Sequence, residues 1–291
     1  MRVLITGSNG QVGKSLVIRL QDQVDLIALD RNMLDISDEN AVFETIGKFN
    51  PEFIVNAAAY TAVDKAESEA EIAYAVNCTG IKNLANAANK YDATVLHIST
   101  DYVFPGESNK PYHENDLTGP RNVYGLSKLK GENELTSILN KHIILRTSWV
   151  FGEFGNNFVR TMLRIGKSKS EMAIVNDQFG GPTYAGDIAD ALINIMLKLA
   201  CTKDTGLYGV YHYSGFPYVS WFEFADAIFR EAEILGVLKS PSLIGIPSTE
   251  YPTPAARPHN SRLSMNKISR NFGIEPSDWK KALTRISEYV K

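Results

Sequence analysis

Apolar residues in the first half of the chain fall in short unbroken runs, separated by stretches with helical spacing. Residues 3–6 (VLIT) form the first run. After a glycine-punctuated turn, Val12, Leu16 and Leu20 share one face of a helix predicted over 11–21. Residues 26–30 read as a second strand. A helix follows over 37–49, with Ser37 as its N-cap and Pro51 beyond its end. A third strand is expected at 53–59, a long helix at about 66–90 and a fourth strand at 94–100. Pro105, Gly106, Pro111, Gly119 and Pro120 mark 101–122 as loop. A helix at 123–140 and a fifth strand at 143–150 complete the series. The strands are continuous rather than alternating, as expected when both faces of a parallel sheet are covered. Strand and helix in turn predict an α/β fold, a Rossmann-type doubly wound parallel sheet.

Past Gly152 the regularity weakens. Residues 171–177 and 208–213 read as further strands and 187–199 as a helix, while 240–262, rich in Pro and Ser, reads as irregular loop. No linker separates two halves. The expected division is a dinucleotide-binding domain of 1–150 plus about 184–215, interleaved with a smaller C-terminal α/β substrate-binding lobe of about 151–183 and 216–291.

Composition narrows the class without choosing a function. The 291 residues carry 30 Lys+Arg against 33 Asp+Glu, a net charge of −3. That balance argues against nucleic acid or an anionic membrane as the main partner. The two cysteines, Cys78 and Cys201, cannot build a disulfide framework, so a reducing, cytoplasmic setting is expected. No apolar run is long enough to span a bilayer, and no signal peptide is expected ahead of the strand that starts near Arg2.

The first chemical signal lies in the turn after the first strand. Gly7-Ser8-Asn9-Gly10-Gln11-Val12-Gly13 has the spacing G-x-x-G-x-x-G. Gly7 permits a sharp turn, Gly10 lets a pyrophosphate approach the backbone, and Gly13 lets helix and strand pack closely. The free N–H groups of the helix start then face the phosphates. Asp30 ends the next strand, where a carboxylate accepts from adenosine ribose hydroxyls. Asp30 favours NADH, whereas the adjacent Arg31 favours the 2′-phosphate of NADPH, so both stay open. Asp35 and Ile36 fall where a loop would close on the adenine.

The second signal is Tyr124 and Lys128, four apart on one helix face. A tyrosine is a poor acid–base group at its usual pKa of about 10. A neighbouring ammonium stabilises the phenolate, so the pair can exchange a proton with a carbonyl or alcohol oxygen. The helix follows the fourth strand, which ends in Ser99-Thr100-Asp101 and so brings hydroxyls to the sheet's carboxyl edge.

These features, with NAAAYTAVDKAE (56–67), NCTG (77–80), STDYVFPG (99–106), NVYGLSK (122–128), RTSWVFG (146–152), GNNFVRTML (155–163), NDQFGGPT (176–183) and YPTPAARPHNSRL (251–263), resemble the extended short-chain dehydrogenase/reductases. More narrowly they resemble the dTDP-4-dehydrorhamnose reductase family. The resemblance implies hydride transfer from NADPH or NADH to C4 of a dTDP-linked 4-keto-6-deoxyhexose. It implies a cofactor site of the glycine turn (Gly7, Asn9, Gly10, Gln11, Val12, Gly13), Asp30, Arg31, Asp35, Ile36, Ala57, Ala58 and Ala59, with Tyr124 and Lys128. Tyr124 would donate the proton, Lys128 would hold the nicotinamide ribose and depress the tyrosine pKa, and Thr100 would bond the carbonyl. Asp101, Tyr102, Trp149, Asn157, Gln178, Thr183 and Arg257 would contact sugar and nucleotide, with Arg257 suited to the diphosphate by its planar fork of donors.

Competing readings are plainer. Trp149 could be core and Arg257 a surface loop residue. Asn77 reads as a structural contact positioning the Thr100 strand, His97 as a core histidine and Cys78 as buried and inert. No cluster has metal-ligand spacing, and no metal is expected. Some relatives are described as dimerising through glutamate-held metal, but the corresponding positions here are Ser15 and Gly186, so a monomer and a homodimer both stay open. A 4,6-dehydratase would need a second acid where Tyr102 stands. A 4-epimerase, a talose-type 4-ketoreductase and a non-catalytic NADP-binding regulatory subunit are the remaining alternatives.

Overall fold

A computed structural model describes residues 1–202 and 204–290. Six strands, Arg2–Thr6, Asp25–Leu29, Phe53–Asn56, Thr94–Thr100, His142–Thr147 and Gly209–His212, form one sheet. Counted along the chain, their lateral order is sixth, fifth, fourth, third, first, second. Every neighbouring pair is parallel, with Val3 opposite both Leu26 and Phe53, Val55 opposite Leu96, Ile98 opposite Leu145, and Leu145 opposite Tyr211. The chain winds outward from the first strand to the second, then returns to place the third on the other side. A crevice therefore opens beyond the carboxyl ends of the first and third strands. Gly7 and Ala57 begin the segments that leave those two ends.

Apolar layers cover both faces of the sheet. On one side Leu16, Ile188, Leu192 and Ile195, from helices Gln11–Leu20 and Ala185–Cys201, pack on Val3, Ile5 and Val55. On the other, Val42, Ile46, Leu84 and Leu135 pack on Leu4, Ile54 and Ile144. These come from helices Glu39–Phe49, Gly80–Lys90 and Val123–Ile138. A third cluster joins Phe151, Val159, Phe224, Phe229 and Trp279. It binds helices Phe158–Gly166, Trp221–Ile234 and Trp279–Leu283 into a body of their own.

Several local expectations change. The predicted helix over 66–90 is broken into Val63–Ala66, Ala70–Tyr74 and Gly80–Lys90, with a π-helical turn at Ala75–Thr79. That turn presses the Asn77 carbonyl against the Tyr124 helix at Gly131, where a Cβ would stand 2.0 Å from the oxygen. The side-chain hydrogen bonds of Asn77 go to Tyr60 and Ser127 and not to the Thr100 strand. The side chain pairs with both backbone groups of Tyr60, at 2.8 and 3.0 Å, and donates to Ser127 Oγ at 3.0 Å. The second helix is capped by Asp38, which accepts from Ala41 N, because Ser37 donates to Asp35 instead. The third strand stops at Asn56, whose side-chain oxygen Oδ1 takes the N–H of Ala58. The fifth stops at Thr147, and Val150–Phe151 pairs with Thr183–Tyr184 after Trp149 adopts a left-handed φ of 49°. Within 240–262, Ser242–Ile246 is a strand parallel to Glu171–Val175, hidden in the sequence by its flanking Ser, Pro and Gly. Cys78 is half-buried rather than buried.

Beneath the site lies a buried ion pair. Arg146 Nη2 donates to Glu132 Oε2 at 2.6 Å and its Nε to Oε1 at 3.0 Å, while Ser99 Oγ donates to the same carboxylate. Both charged residues are below 5% exposed. Glu132→Leu strands a buried guanidinium and should lower the unfolding free energy by about 3–5 kcal/mol in urea titrations. Glu132→Leu with Arg146→Met should recover most of that loss. A neutral single variant would show that the pair does not clamp the fourth strand, the fifth strand and the Tyr124 helix together.

Candidate active site

A cleft of about 350 Å³ opens at the crevice between the first and third strands. Gly7, Asn9, Gly10, Asp30, Arg31, Asp35, Ile36 and Ala57–Ala59 line it, joined by Tyr60 and Val76. Gly7 has φ +70° and lies so near the third-strand loop that a Cβ would sit 2.5 Å from Ala58 N, so this turn requires glycine. Helix Gln11–Leu20 begins with Gly10 at its N-cap and has no capping side chain, which leaves its first N–H groups free toward the cleft. An anionic dinucleotide phosphate fits that cradle. Asp30 is already organised: Oδ2 accepts from Asn9 Nδ2 at 2.5 Å and Oδ1 from the N–H groups of Asn32 and Met33. Arg31 is exposed at the rim.

Tyr124 and Lys128 stand one turn apart near the start of helix Val123–Ile138. Asn122 caps the helix by accepting from Gly125 N at 2.8 Å. The Tyr124 ring meets that of Tyr102 edge-on, with centroids 5.5 Å apart. Burial pushes its phenol above the usual tyrosine range, and the Thr100 hydroxyl beside it acts in the opposite direction. The expected depression by Lys128 is not among the effects acting on the phenol, and the Lys128 Nζ is engaged by the fourth strand, 2.7 Å from the Ile98 carbonyl and 3.2 Å from His97 Nε2. Burial brings the Lys128 amine down to about 8. Thr100 accepts from Tyr102 N and donates to Asp101 Oδ1, both at 3.2 Å. Asp101 is 4% exposed, its Oδ2 has no hydrogen-bond partner, and burial pushes its carboxyl up to about 6.

The residues expected on the substrate side divide. Arg257 Nη2 bonds Asp64 Oδ2 at 2.6 Å, and its Nη1 lies 3.4 Å from the Tyr102 hydroxyl. Asn122 Nδ2 holds the neighbouring Ala256 carbonyl at 2.8 Å, so the loop carrying Arg257 is tied across the start of the Tyr124 helix. Trp149 stacks on Trp221, with rings 3.4 Å apart and 9° from parallel. Gln178 is buried two residues before Gly180, which lies against the Trp149 ring. Thr183 and Asn157 are used elsewhere. Thr183 is fully buried, donates to the Gly181 carbonyl and accepts from Gly215 N. Asn157 caps helix Phe158–Gly166 and donates to Gln11 Oε1 at 3.0 Å and to the Gly152 carbonyl. Gln11 therefore joins the two bodies, while Val12 and Gly13 are buried behind the turn.

Comparison with known proteins decides the family. The family described as RmlD substrate binding domain matches residues 1–291. A dTDP-4-dehydrorhamnose reductase of Aggregatibacter actinomycetemcomitans is 50% identical over 100% of this chain and 99% of that protein. A reductase of the same name from Clostridium acetobutylicum has a crystal structure that matches with a TM-score of 0.92 and 37% identity, over 99% of each chain. That of Bacillus anthracis, solved in complex with NADP, matches with a TM-score of 0.89 and 39% identity over 98% of each.

The chain belongs to the dTDP-4-dehydrorhamnose reductase family. A UDP-glucose 4-epimerase of Thermus thermophilus, at 21% identity and a TM-score of 0.80, shares the fold alone.

Against this reductase family, three contributors to the site went unread in the sequence. Asp64 lies within the 56–67 stretch, but nothing there marks it as the partner of a residue 193 positions away. Trp221 follows a capping box, which marks a helix start but not a ring stack. Asn122 was legible in principle, as an Asn directly before a helical pattern. Among the described residues, no group of three or more His, Cys, Asp and Glu could hold a metal ion, and no helix is long and apolar enough to cross a membrane.

Asp101 has a raised pKa in the fold, so its contribution to stability is fully present below about pH 4 and is lost as pH rises through about 6. Asp101→Asn removes that loss while keeping an acceptor for Thr100. In chemical denaturation the variant should gain on the order of 2 kcal/mol over wild type at pH 8 and almost nothing at pH 4. An equal gain at both pH values would mean that the carboxyl does not titrate out of place.

Proposed function

We propose that this chain reduces the C4 ketone of dTDP-4-dehydro-L-rhamnose with NADPH or NADH. Family membership over the whole chain supports the substrate class. The observation that carries the chemistry is that Thr100 stands beside Tyr124, with Lys128 one turn along the same helix and tied through His97 to Asn56, the residue directly before the cleft-lining Ala57–Ala59. The bare Gly7–Gly10 backbone and the uncapped helix start suit the cofactor diphosphate, and Asp30 suits the adenosine ribose. Arg31 at the rim suits a 2′-phosphate, in keeping with the NADP held by the Bacillus anthracis relative.

Bound nicotinamide supplies the hydride. The chain's residues provide the rest. As negative charge grows on the C4 oxygen, Thr100 donates a hydrogen bond to it and Tyr124 transfers its phenolic proton to it. A proton donor must be protonated at the start, and the raised Tyr124 pKa secures this. Lys128, one turn along the same helix, would, once charged, supply the cation for the resulting phenolate and hold the nicotinamide ribose. Tyr102 and Arg257, braced by Asp64, face the sugar diphosphate. The Trp149–Trp221 stack walls the substrate side.

Purified protein given dTDP-4-dehydro-L-rhamnose should oxidise NADPH or NADH, followed by loss of nicotinamide absorbance. Absence of turnover with either cofactor would refute the reading. Tyr124→Phe should bind the cofactor as wild type does and lose turnover by about 10²-fold or more. Undiminished activity in that variant would take Tyr124 out of the proton-donor role.

A further inference from the structure

His97 is 0% exposed and lies at the centre of a directed hydrogen-bond chain that none of the proposed steps uses. The chain starts from a group whose polarity is fixed. The backbone N–H of Ala58 can only donate, and it meets Asn56 Oδ1 at 3.2 Å, where the Thr6 hydroxyl also donates at 2.5 Å. The amide orientation of Asn56 follows, so its Nδ2 is the atom that faces His97 Nδ1, at 2.8 Å. An amide nitrogen donates and does not accept. His97 Nδ1 must therefore be the bare, accepting nitrogen of a neutral ring. The ring cannot be doubly protonated, since an Nδ1–H would meet the Asn56 amide donor head-on and complete burial holds the His97 pKa well below the usual histidine range. The single ring proton thus sits on Nε2, and Nε2 faces Lys128 Nζ at 3.2 Å.

An ammonium has three donors and no lone pair, so it cannot accept from that N–H. A free amine can. It accepts from His97 Nε2–H while donating to the Ile98 carbonyl at 2.7 Å, and both contacts are then satisfied. We propose that His97 is a positioning residue that holds Lys128 as its free amine in the cofactor-free protein, so that charging the lysine frees Nζ from His97. This deepens the proposed function, since it assigns the resting state of the lysine that function invokes, and it rests on that reading only for its purpose.

Glu132, one turn further along the Lys128 helix, favours the charged form, but its carboxylate is already bound by Arg146 and Ser99. Tyr124, one turn back, is neutral. From the fourth strand come only His97 and the Ile98 carbonyl, and the third strand acts through Asn56. The amine state has a consequence for Tyr124. A charged lysine in the empty site would favour an idle phenolate, whereas an amine leaves the phenol protonated until the site is filled.

The test uses the full-length, cofactor-free protein. Nitrogen-15 NMR of the imidazole rings, with His97 assigned by its loss in His97→Gln, should show the Nε2–H tautomer. Carbon-13 NMR of the lysine ε-carbons, with Lys128 assigned by its loss in Lys128→Met, should show a midpoint at or below about 8. In His97→Gln the side-chain amide can turn an oxygen to Nζ, and the midpoint should rise by about one pH unit or more. If that variant does not fold, Asn56→Asp serves, because a carboxylate takes the proton of Nδ1, leaves Nε2 as an acceptor and should also raise the midpoint. An Nδ1–H tautomer in wild type, or a Lys128 midpoint unmoved in a folded variant, would overturn the proposal. Neither readout involves the keto sugar, so a failure to reduce it leaves this result standing, and the reverse also holds.

Discussion

A lysine nitrogen taken out of water must find partners within the protein, and the active site is organised around those available to Lys128. The residue is 2% exposed, and among the described residues its Nζ has the Ile98 carbonyl and the His97 ring as hydrogen-bond partners. Both partners lie on the fourth strand, which ends three residues after His97 in Thr100. The same packing that buries the lysine therefore places the Thr100 hydroxyl beside the Tyr124 phenol. Were the Tyr124 helix to shift along the strand, the amine would lose its partners and the catalytic hydroxyls would separate together. The Glu132–Arg146 pair and the Gly131 contact oppose that shift.

The cleft and this cluster meet because of sheet topology. The third strand ends in Asn56, which reaches the lysine through His97, and the loop leaving it supplies Ala57–Ala59 along the cleft, so one continuous segment touches both the lysine chain and the dinucleotide cradle. The second body is drawn over the opposite side by long-range polar contacts. Asn122 grips Ala256, Asp64 grips Arg257, and Asn157 grips Gln11. With a net charge of −3, attraction for two anionic ligands is local, coming from the uncapped helix start and a few cations and not from a global field.

What was legible in the sequence was local. The glycine spacing, the acid at the end of the second strand and the four-residue Tyr124–Lys128 interval each depend on neighbours a few positions apart, and periodicity placed them on the correct elements. The break in the 66–90 helix was not legible, because it answers to Gly131 on another helix. Thr183 and Asn157 belong to family motifs, yet their polar atoms are taken up by Gly181, Gly215, Gly152 and Gln11. A motif marks that a residue matters without saying whether it faces the ligand or the frame. His97 read as core, and it is core. The tautomer proposed for it follows from Asn56 on the neighbouring strand and the Ala58 N–H in the loop beyond, which no pattern along the fourth strand could reveal.

If this site passes a hydride to the sugar's C4 while Tyr124 delivers the proton to the oxygen, the label of the cofactor must follow the hydride. Reaction of dTDP-4-dehydro-L-rhamnose with NADPH or NADH carrying deuterium at both nicotinamide C4 positions, with the product read by NMR and mass spectrometry, should give a single deuterium bound to C4 of the sugar and none at any other ring position. Product carrying no deuterium at C4, or carrying it at another carbon, would contradict that transfer.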